Sequence, residues 1–312
     1  MLDVQRLRVW RELSLAAFGI PLDSIDSWVI DRLTSELSEQ HVRRRQKLFS
    51  IGDVPAFVYF MQDGEVRMVR EGSAPWTFRG RWLLGGFEAH LDRPSPRDGV
   101  ALSEFYVMKV SASVWIDLLE DSFPLARQAL VNSSATVANL EERVSGDVPG
   151  SAHTGSPSYV TSSLDLVERL AFLSDVGMLR GAGVQTLADL AMIAREAVFA
   201  SGEVVLTRGA GTHHLQLVID GAIHAEREDP RVERGYGPGD VVGGVANFGK
   251  SAHAWEAIAV APTRVLQIPI EAWFDLMEEH FDLVRSSFAT LGFRREALLE
   301  HLADEIYGLV LT

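Results

Sequence analysis

The chain has 312 residues, 47% of them hydrophobic and 23% charged, a globular composition long enough for two domains of ordinary size. Its net charge of −14 argues against a nucleic-acid partner, because phosphate neutralisation needs clustered Lys and Arg. The absence of cysteine excludes a disulfide framework and a thiolate metal site. The lack of any apolar run near the ~18 residues of a membrane span, or of a signal-peptide core at Met1-Leu-Asp-Val-Gln-Arg6, leads us to expect a soluble cytoplasmic protein.

Residues 1–40 read as helices. Val4, Leu7, Trp10, Leu13 and Ala17 recur at helical spacing, and Asp23 or Ser24 is placed to cap a second helix through Trp28, Ile30, Leu33 and Leu37. Arg43-Arg44-Arg45 is the densest basic run; it reads as a pseudosubstrate-like or acidic-partner site or, with the apolar Leu48 and Phe49 just after it, as a solvated strand entry, which we favour. From Lys47 to Val110 the chain is strand-like. Phe57 to Met61 closes on the turn Gln62-Asp63-Gly64, Val66 and Met68 alternate with polar neighbours, and Phe105 to Val110 makes a last strand. Short strands with frequent turns imply a jelly roll or barrel.

Ser113 is the expected N-cap of the next helix, with Trp115, Leu118, Leu119 and Phe123 on its buried face. Leu130, Val137 and Val144 then recur every seven residues, with Ser133 and Leu140 between them, a pattern that suits a helix pairing with a second copy in a homodimer. Ser133, Ser134 and Thr136 read as solvated polar positions. Residues 145–160 have linker composition. The expected domains are helices at 1–40, a first domain with a C-terminal helix at 41–145, a linker at 146–160 and a second domain with a C-terminal helix at 161–312.

The second half repeats the first. Leu217-Val-Ile-Asp-Gly221 matches Phe60-Met-Gln-Asp-Gly64, Gly243-Gly244 matches Gly85-Gly86, and Trp273 to Phe281 matches Trp115 to Phe123, at a constant spacing of 157 or 158 residues. The expected fold class is therefore mainly β with flanking helices, as two tandem β-jelly-roll domains. Phe288, Leu291, Leu298, Leu302, Ile306 and Leu309 read as one continuing helical face, with no room left for a further domain before Thr312.

One stretch carries small-molecule chemistry. Gly85 and Gly86 allow close backbone approach, Glu88 can accept from sugar hydroxyls, and Ala89 and Leu91 suggest one helical turn. Pro96 sets a turn that presents Arg97, whose planar fork suits a phosphate. Taken alone, the same residues also read as a glycine turn with a surface acid and a surface arginine. In context, the stretch resembles the phosphate-binding cassette of the cyclic nucleotide-binding domain family, roughly G-E-x-A, four or five residues, then P-R-x-A-[ST]. Glu88-Ala89 and Pro96-Arg97 fall at that spacing, with Phe87 in place of the usual glycine and Asp98-Gly99-Val100 in place of the closing Ser or Thr. The resemblance puts the ribose hydroxyl on Glu88 and the cyclic phosphate on Arg97, within a site of Gly86, Phe87, Glu88, Ala89, Arg97, Asp98 and Gly99.

The corresponding second stretch has no carboxylate at the Glu position. It would offer Gly244, Val245, Lys250 and His253, with Trp255 filling part of the space, so we expect it to be degenerate. The tandem arrangement is similar to catabolite activators and kinase regulatory subunits, without a DNA-binding domain or an Arg-Arg-x-[Ser/Ala] inhibitor sequence. Gly209-Ala-Gly-Thr-His213-His214 does not supply a metal site, since neighbours on a strand point to opposite faces.

We expect a non-enzymatic protein with no cofactor and no metal. It would sense a cyclic nucleotide such as cAMP through the first cassette and signal to a protein partner. The alternative is a ligand-independent scaffold that kept the fold and lost the nucleotide. The residues neither support nor exclude a cyclic dinucleotide.

Overall fold

The computed structural model describes residues 19–20, 23, 25–91, 93–144, 163–211, 213–228, 231–244, 248, 252, 254–306 and 309–312. The helix expected at Val4–Ala17, the linker at 146–160 and the second-stretch residues Val245, Lys250 and His253 lie outside them. The chain forms two compact units. The first comprises 1–129 and 295–312, and the second 130–294.

In the first unit, α1 (Ser27–Glu36) precedes eight strands: β1 (Ser38–Val42), β2 (Lys47–Phe49), β3 (Phe57–Met61), β4 (Glu65–Val69), β5 (Trp76–Arg79), β6 (Trp82–Leu84), β7 (Asp98–Ala101) and β8 (Phe105–Ser111). Helices α2 (Ala112–Asp121) and α3 (Phe123–Arg143) follow. The sheets run β1-β8-β3-β6 and β5-β4-β7-β2, antiparallel throughout, and this is the jelly-roll order. The strand β17 (Leu309–Leu311) adds to the open edge of β5 in parallel, pairing Leu309 with Trp76 and Leu311 with Phe78. Between the sheets lie Val66, Phe78 and Val107, each at most 2% exposed, and Phe60 meets Trp115 edge-on at 5.9 Å.

In the second unit, α4 (Leu166–Asp175) opens on a complete capping box, with Asp165 accepting from the Glu168 N–H and Glu168 accepting from the Asp165 N–H. Then come α5 (Val184–Ile193), β9 (Arg195–Phe199), β10 (Val204–Leu206), β11 (His214–Asp220), β12 (Ile223–Glu228), β13 (Arg231–Tyr236), β14 (Val241–Val242), β15 (Glu256–Ala259) and β16 (Thr263–Pro269). Helices α6 (Ile270–Glu279) and α7 (Phe281–Ile306) complete the order. Its sheets are β9-β16-β11-β14 and β13-β12-β15-β10, strand for strand those of the first unit. Val218, Ile223, Val242, Ala257 and Val265 form its core. The two turns that matched in sequence also match in shape. Gly64 and Gly221 have φ of +100° and +97°, and a Cβ on either would stand 2.5 Å from Phe105 or from the Pro262 carbonyl. Only glycine is free of strain in both respects.

Several local expectations are corrected. α1 starts at Ser27 with Asp26 at the N-cap position and no side-chain cap bond, rather than at Asp23 or Ser24. Ser111, not Ser113, caps α2, its Oγ accepting from the Val114 N–H at 3.3 Å, because β8 runs to Ser111 and hands directly to the helix. Phe123 opens α3 instead of closing the face of α2. The apolar face expected to continue through Leu309 ends at Ile306, because the last residues find a sheet edge with unpaired backbone groups. Ser134 is fully buried and so is not a solvated position, while Thr136 is half-buried and donates to the Asn132 carbonyl at 2.9 Å. Arg43, Arg44 and Arg45 are exposed at the turn between β1 and β2, as their surroundings in sequence suggested. Among the described residues no helix is long and apolar enough to cross a membrane.

Candidate ligand-binding site

The glycine stretch of the first unit does form a short helical turn. Gly85 has φ +86°, and a Cβ there would lie 2.5 Å from the Phe57 carbonyl, so the chain passes β3 at backbone distance only because no side chain intervenes. Glu88–His90 is then one 3-10 turn, with the Ala89 N–H donating to Gly85 O at 2.9 Å. From it Glu88 extends a carboxylate whose Oε2 is buried without a hydrogen-bond partner among the described residues. Its Oε1 lies 3.6 Å from the Arg295 guanidinium of α7. Arg295 rests over the Phe87 and Phe78 rings at 4.7 and 5.3 Å.

Arg97 is placed by the loop before β7. Ser95 is tied down by bonds from its N–H to Asp53 O and from the Gly52 N–H to its carbonyl, and its Oγ donates to Arg97 O at 2.8 Å. Arg97 is 1% exposed, which removes the surface-arginine reading. Its guanidinium lies 3.9 Å over the Trp76 ring, Nη1 donates to Ala74 O at 3.1 Å, and Nη2 donates to Glu300 Oε1 at 3.2 Å. Burial pulls the group below its ordinary pKa, the Glu300 hydrogen bond opposing it. An arginine stays charged under such conditions. Arg70, at the end of β4, donates to the same Glu300 oxygen at 2.7 Å, and Arg93 pairs with Glu296. The residues expected to receive a ligand are thus met by the segment of α7 that belongs to this unit.

The remaining predicted residues are placed as follows. Phe87 is buried beneath Arg295, and Gly86 sits where a Cβ would press on Leu83 at 3.0 Å. Asp98 and Gly99 are already in β7. Asp98 is turned to the neighbouring strand, accepting from Lys47 Nζ at 2.7 Å and the Ile51 N–H at 2.8 Å, while a Cβ at Gly99 would strike Phe49 at 2.5 Å. Sequence reasoning missed Arg70, Arg93, Trp76, Arg295, Glu296 and Glu300. The one signal that could have found the last two is a Glu pair at i, i+4 beside the apolar stripe of α7.

The second unit grips a helix from the equivalent strand position. Arg227, 157 residues after Arg70, donates from Nη1 to Glu141 O at 2.8 Å and from Nη2 to Val144 O at 2.7 Å, capping the last carbonyls of α3. Glu141 Oε1 accepts from Arg294 Nε at 2.7 Å and lies 3.7 Å from Arg234. Trp255 does turn inward, packing on the core, with the Arg227 guanidinium 5.3 Å over its ring. Gly244 is described, with a Cβ position only 3.4 Å from Val241. Among the described residues no cluster of three or more His, Asp and Glu side chains could hold a metal ion.

Two eight-strand jelly rolls in tandem, each carrying helices after its last strand, define the class of the molecule. Residues 196–280, from β9 through α6, match the cyclic nucleotide-binding domain family. The second repeat thus resembles a cyclic nucleotide-binding domain over β9 to α6, and the first shares its strand order. Solved structures similar to the chain include the regulatory domain of Toxoplasma gondii protein kinase A with cAMP, at 15% identity, covering 82% of this chain and 86% of that one, TM-score 0.34. Another is the guanosine-bound regulatory subunit of a cAMP-independent protein kinase A from Trypanosoma cruzi, at 11% identity, covering 96% and 93%, TM-score 0.38. A putative cyclic nucleotide binding protein from Ruegeria pomeroyi shows 21% identity over 44% of this chain and 62% of that one, TM-score 0.37. The assignment rests on the strand order and the family match rather than on these likenesses. No curated protein matches the chain.

Proposed function

We propose that the protein is a non-enzymatic regulator whose first repeat senses a cyclic nucleotide, and that the end of α7 closes the site when the ligand is absent. The observation that carries this reading is the buried Arg97, whose fork donates to the Glu300 carboxylate while Glu88 faces Arg295. A phosphate would replace the Glu300 carboxylate on Arg97, and a ribose hydroxyl would replace Arg295 at Glu88. Ligand and helix then compete for the same two residues, and the ligand shifts the population toward a released helix only by the difference of its affinity for the two states. The released segment is what a protein partner would read.

A thermal-shift screen with cAMP, cGMP and cyclic di-AMP tests it. A ligand at ~100 times its dissociation constant adds ~2.7 kcal/mol. Binding should be lost in Arg97→Ala and tightened in Glu300→Gln, where the internal competitor is weakened. A shift that survives Arg97→Ala sinks the site.

The same pair also favours a second reading, the ligand-independent scaffold, because Arg97 and Glu88 already have charged partners inside the chain. That reading expects no nucleotide to stabilise either the native chain or Glu300→Gln, together with tight capture of one partner.

A further inference from the structure

The Glu300 carboxylate occupies only part of what Arg97 offers. Arg97 Nη1 is spent on Ala74 O at 3.1 Å, and Nη2 reaches Glu300 Oε1 at 3.2 Å. Nε and Nη2 together make the side-on fork with which a guanidinium holds two oxygens of one anion. Nε is buried and has no hydrogen-bond partner among the described residues, so half of that fork is unfilled. Trp76, whose ring lies 3.9 Å from the same guanidinium, keeps a second such donor in its Nε1. Trp76 and Arg97 are 4% and 1% exposed, so bulk water does not serve these donors. Buried donors without partners are uncommon, and two side by side mark a place where something other than the helix carboxylate binds.

Arg70 points to the same place. It directly follows β4, which pairs with the strand of Trp76, and its Nη2 donates at 2.7 Å to the oxygen that Arg97 Nη2 reaches. Its Nε donates to Ser73 Oγ at 3.1 Å across a turn closed by the Ser73 N–H on Arg70 O, so the guanidinium is held without help from the helix. Donors of two guanidiniums therefore meet at one point. The cassette that this stretch resembles closes with a Ser or Thr hydroxyl. Here Gly99 has no side chain, and Asp98 is committed to Lys47 and the Ile51 N–H.

We infer that Arg70 is a second phosphate-binding residue of the first repeat, which completes one anion seat with Arg97 where the hydroxyl is missing. This rests on the reading that ligand and helix compete for Arg97. One phosphate oxygen would replace Glu300 Oε1 between the two Nη2 groups, and a second would fill Arg97 Nε. The rival role is a clamp that only holds the helix, as Arg227 holds the last carbonyls of α3 in the second unit. The two roles differ in sign. Removing a clamp loosens the competitor and tightens the ligand, whereas removing a phosphate contact weakens it.

The test is isothermal titration of the full chain with cAMP and with 5′-AMP, the tighter of which shows whether the phosphate arrives as a diester or a monoester. Glu300→Ala removes the competing carboxylate, and Arg70→Ala is added to it. The inference expects the added substitution to weaken the better probe at least tenfold, the loss that one hydrogen bond to a charged group entails. The Arg70 side chain is 39% exposed, so the double variant should keep the melting profile of Glu300→Ala. A smaller loss or a gain in affinity, with binding still abolished by Arg97→Ala, would overturn the second arm and leave the proposed sensor standing. Binding that survives Arg97→Ala, or no binding of either probe to the native chain or to Glu300→Ala, would overturn the site itself and the role of Arg70 with it.

Discussion

Arg97 and Asp98 are adjacent and do unrelated work. Arg97 turns inward to Trp76 and Glu300, whereas Asp98 holds two strands together at the β2 edge. The hydrogen bond from Lys47 depresses the Asp98 pKa below its ordinary value of 3.8, with the Ile51 N–H assisting and burial opposing. A depressed carboxyl stabilises the fold at pH values above its unfolded pKa, and that contribution is lost as pH falls through the folded value. Asp98→Asn should therefore melt below the native chain at pH 7, and the gap should close as pH falls below about 4. Parallel melts at pH 7 and pH 3 check it, and a gap that persists in acid would contradict it. Glu88 and Arg97 were legible in the sequence because a cassette is local, its spacing fixed by one turn and one loop. Their charged partners were not, because Arg97 and Glu300 are 203 residues apart and no short-range pattern joins them.

Among the elements, the paired turns and the added strand carry the sharpest tests. Gly64→Ala would place a Cβ 2.5 Å from the Phe105 ring at φ +100°, so we expect a loss of about 1–3 kcal/mol, read from denaturant unfolding. Gly52→Ala, at φ +88° but with open space around it, isolates the backbone part and should cost less. Deleting residues 309–312 removes β17 and exposes the backbone of β5. The truncated chain should melt earlier and aggregate faster at its open edge, measured by light scattering during heating. The strands were legible because alternation and Asp-Gly turns are local signals, and Phe57–Met61 appears with the bounds read from them. The fate of Leu309 was not, because an apolar residue after a helix fits a further turn or a strand equally well. Only the free edge of β5 distinguishes them.

For the molecule as a whole, the seven-residue stripe of α3 has a different meaning from the one its spacing invites. Leu130, Val137, Leu140 and Val144 are each at most 4% exposed within the single chain, so the stripe is accounted for without a second copy. Leu140→Glu should accordingly lower the melting temperature without changing the sedimentation coefficient of the folded fraction. A shift from dimer to monomer at unchanged stability would restore the pairing role. With a net charge of −14, the chain should give no shift of duplex DNA or RNA at physiological salt in gel retardation.

The duplication, the short-strand jelly-roll class and the spacing of the first cassette were legible in the sequence itself. Each is written in turns, alternation and spacing that act over a few residues or repeat at a constant offset. The tertiary structure alone decided which helical segment completes which barrel: 130–144 is counted with the second repeat and 295–306 with the first. Hydrophobic burial is non-directional, and the helices after the two repeats carry apolar stripes of the same kind. Nothing local tells Leu140 or Leu298 which sheet will cover it. That choice is what brings Glu300 to Arg97.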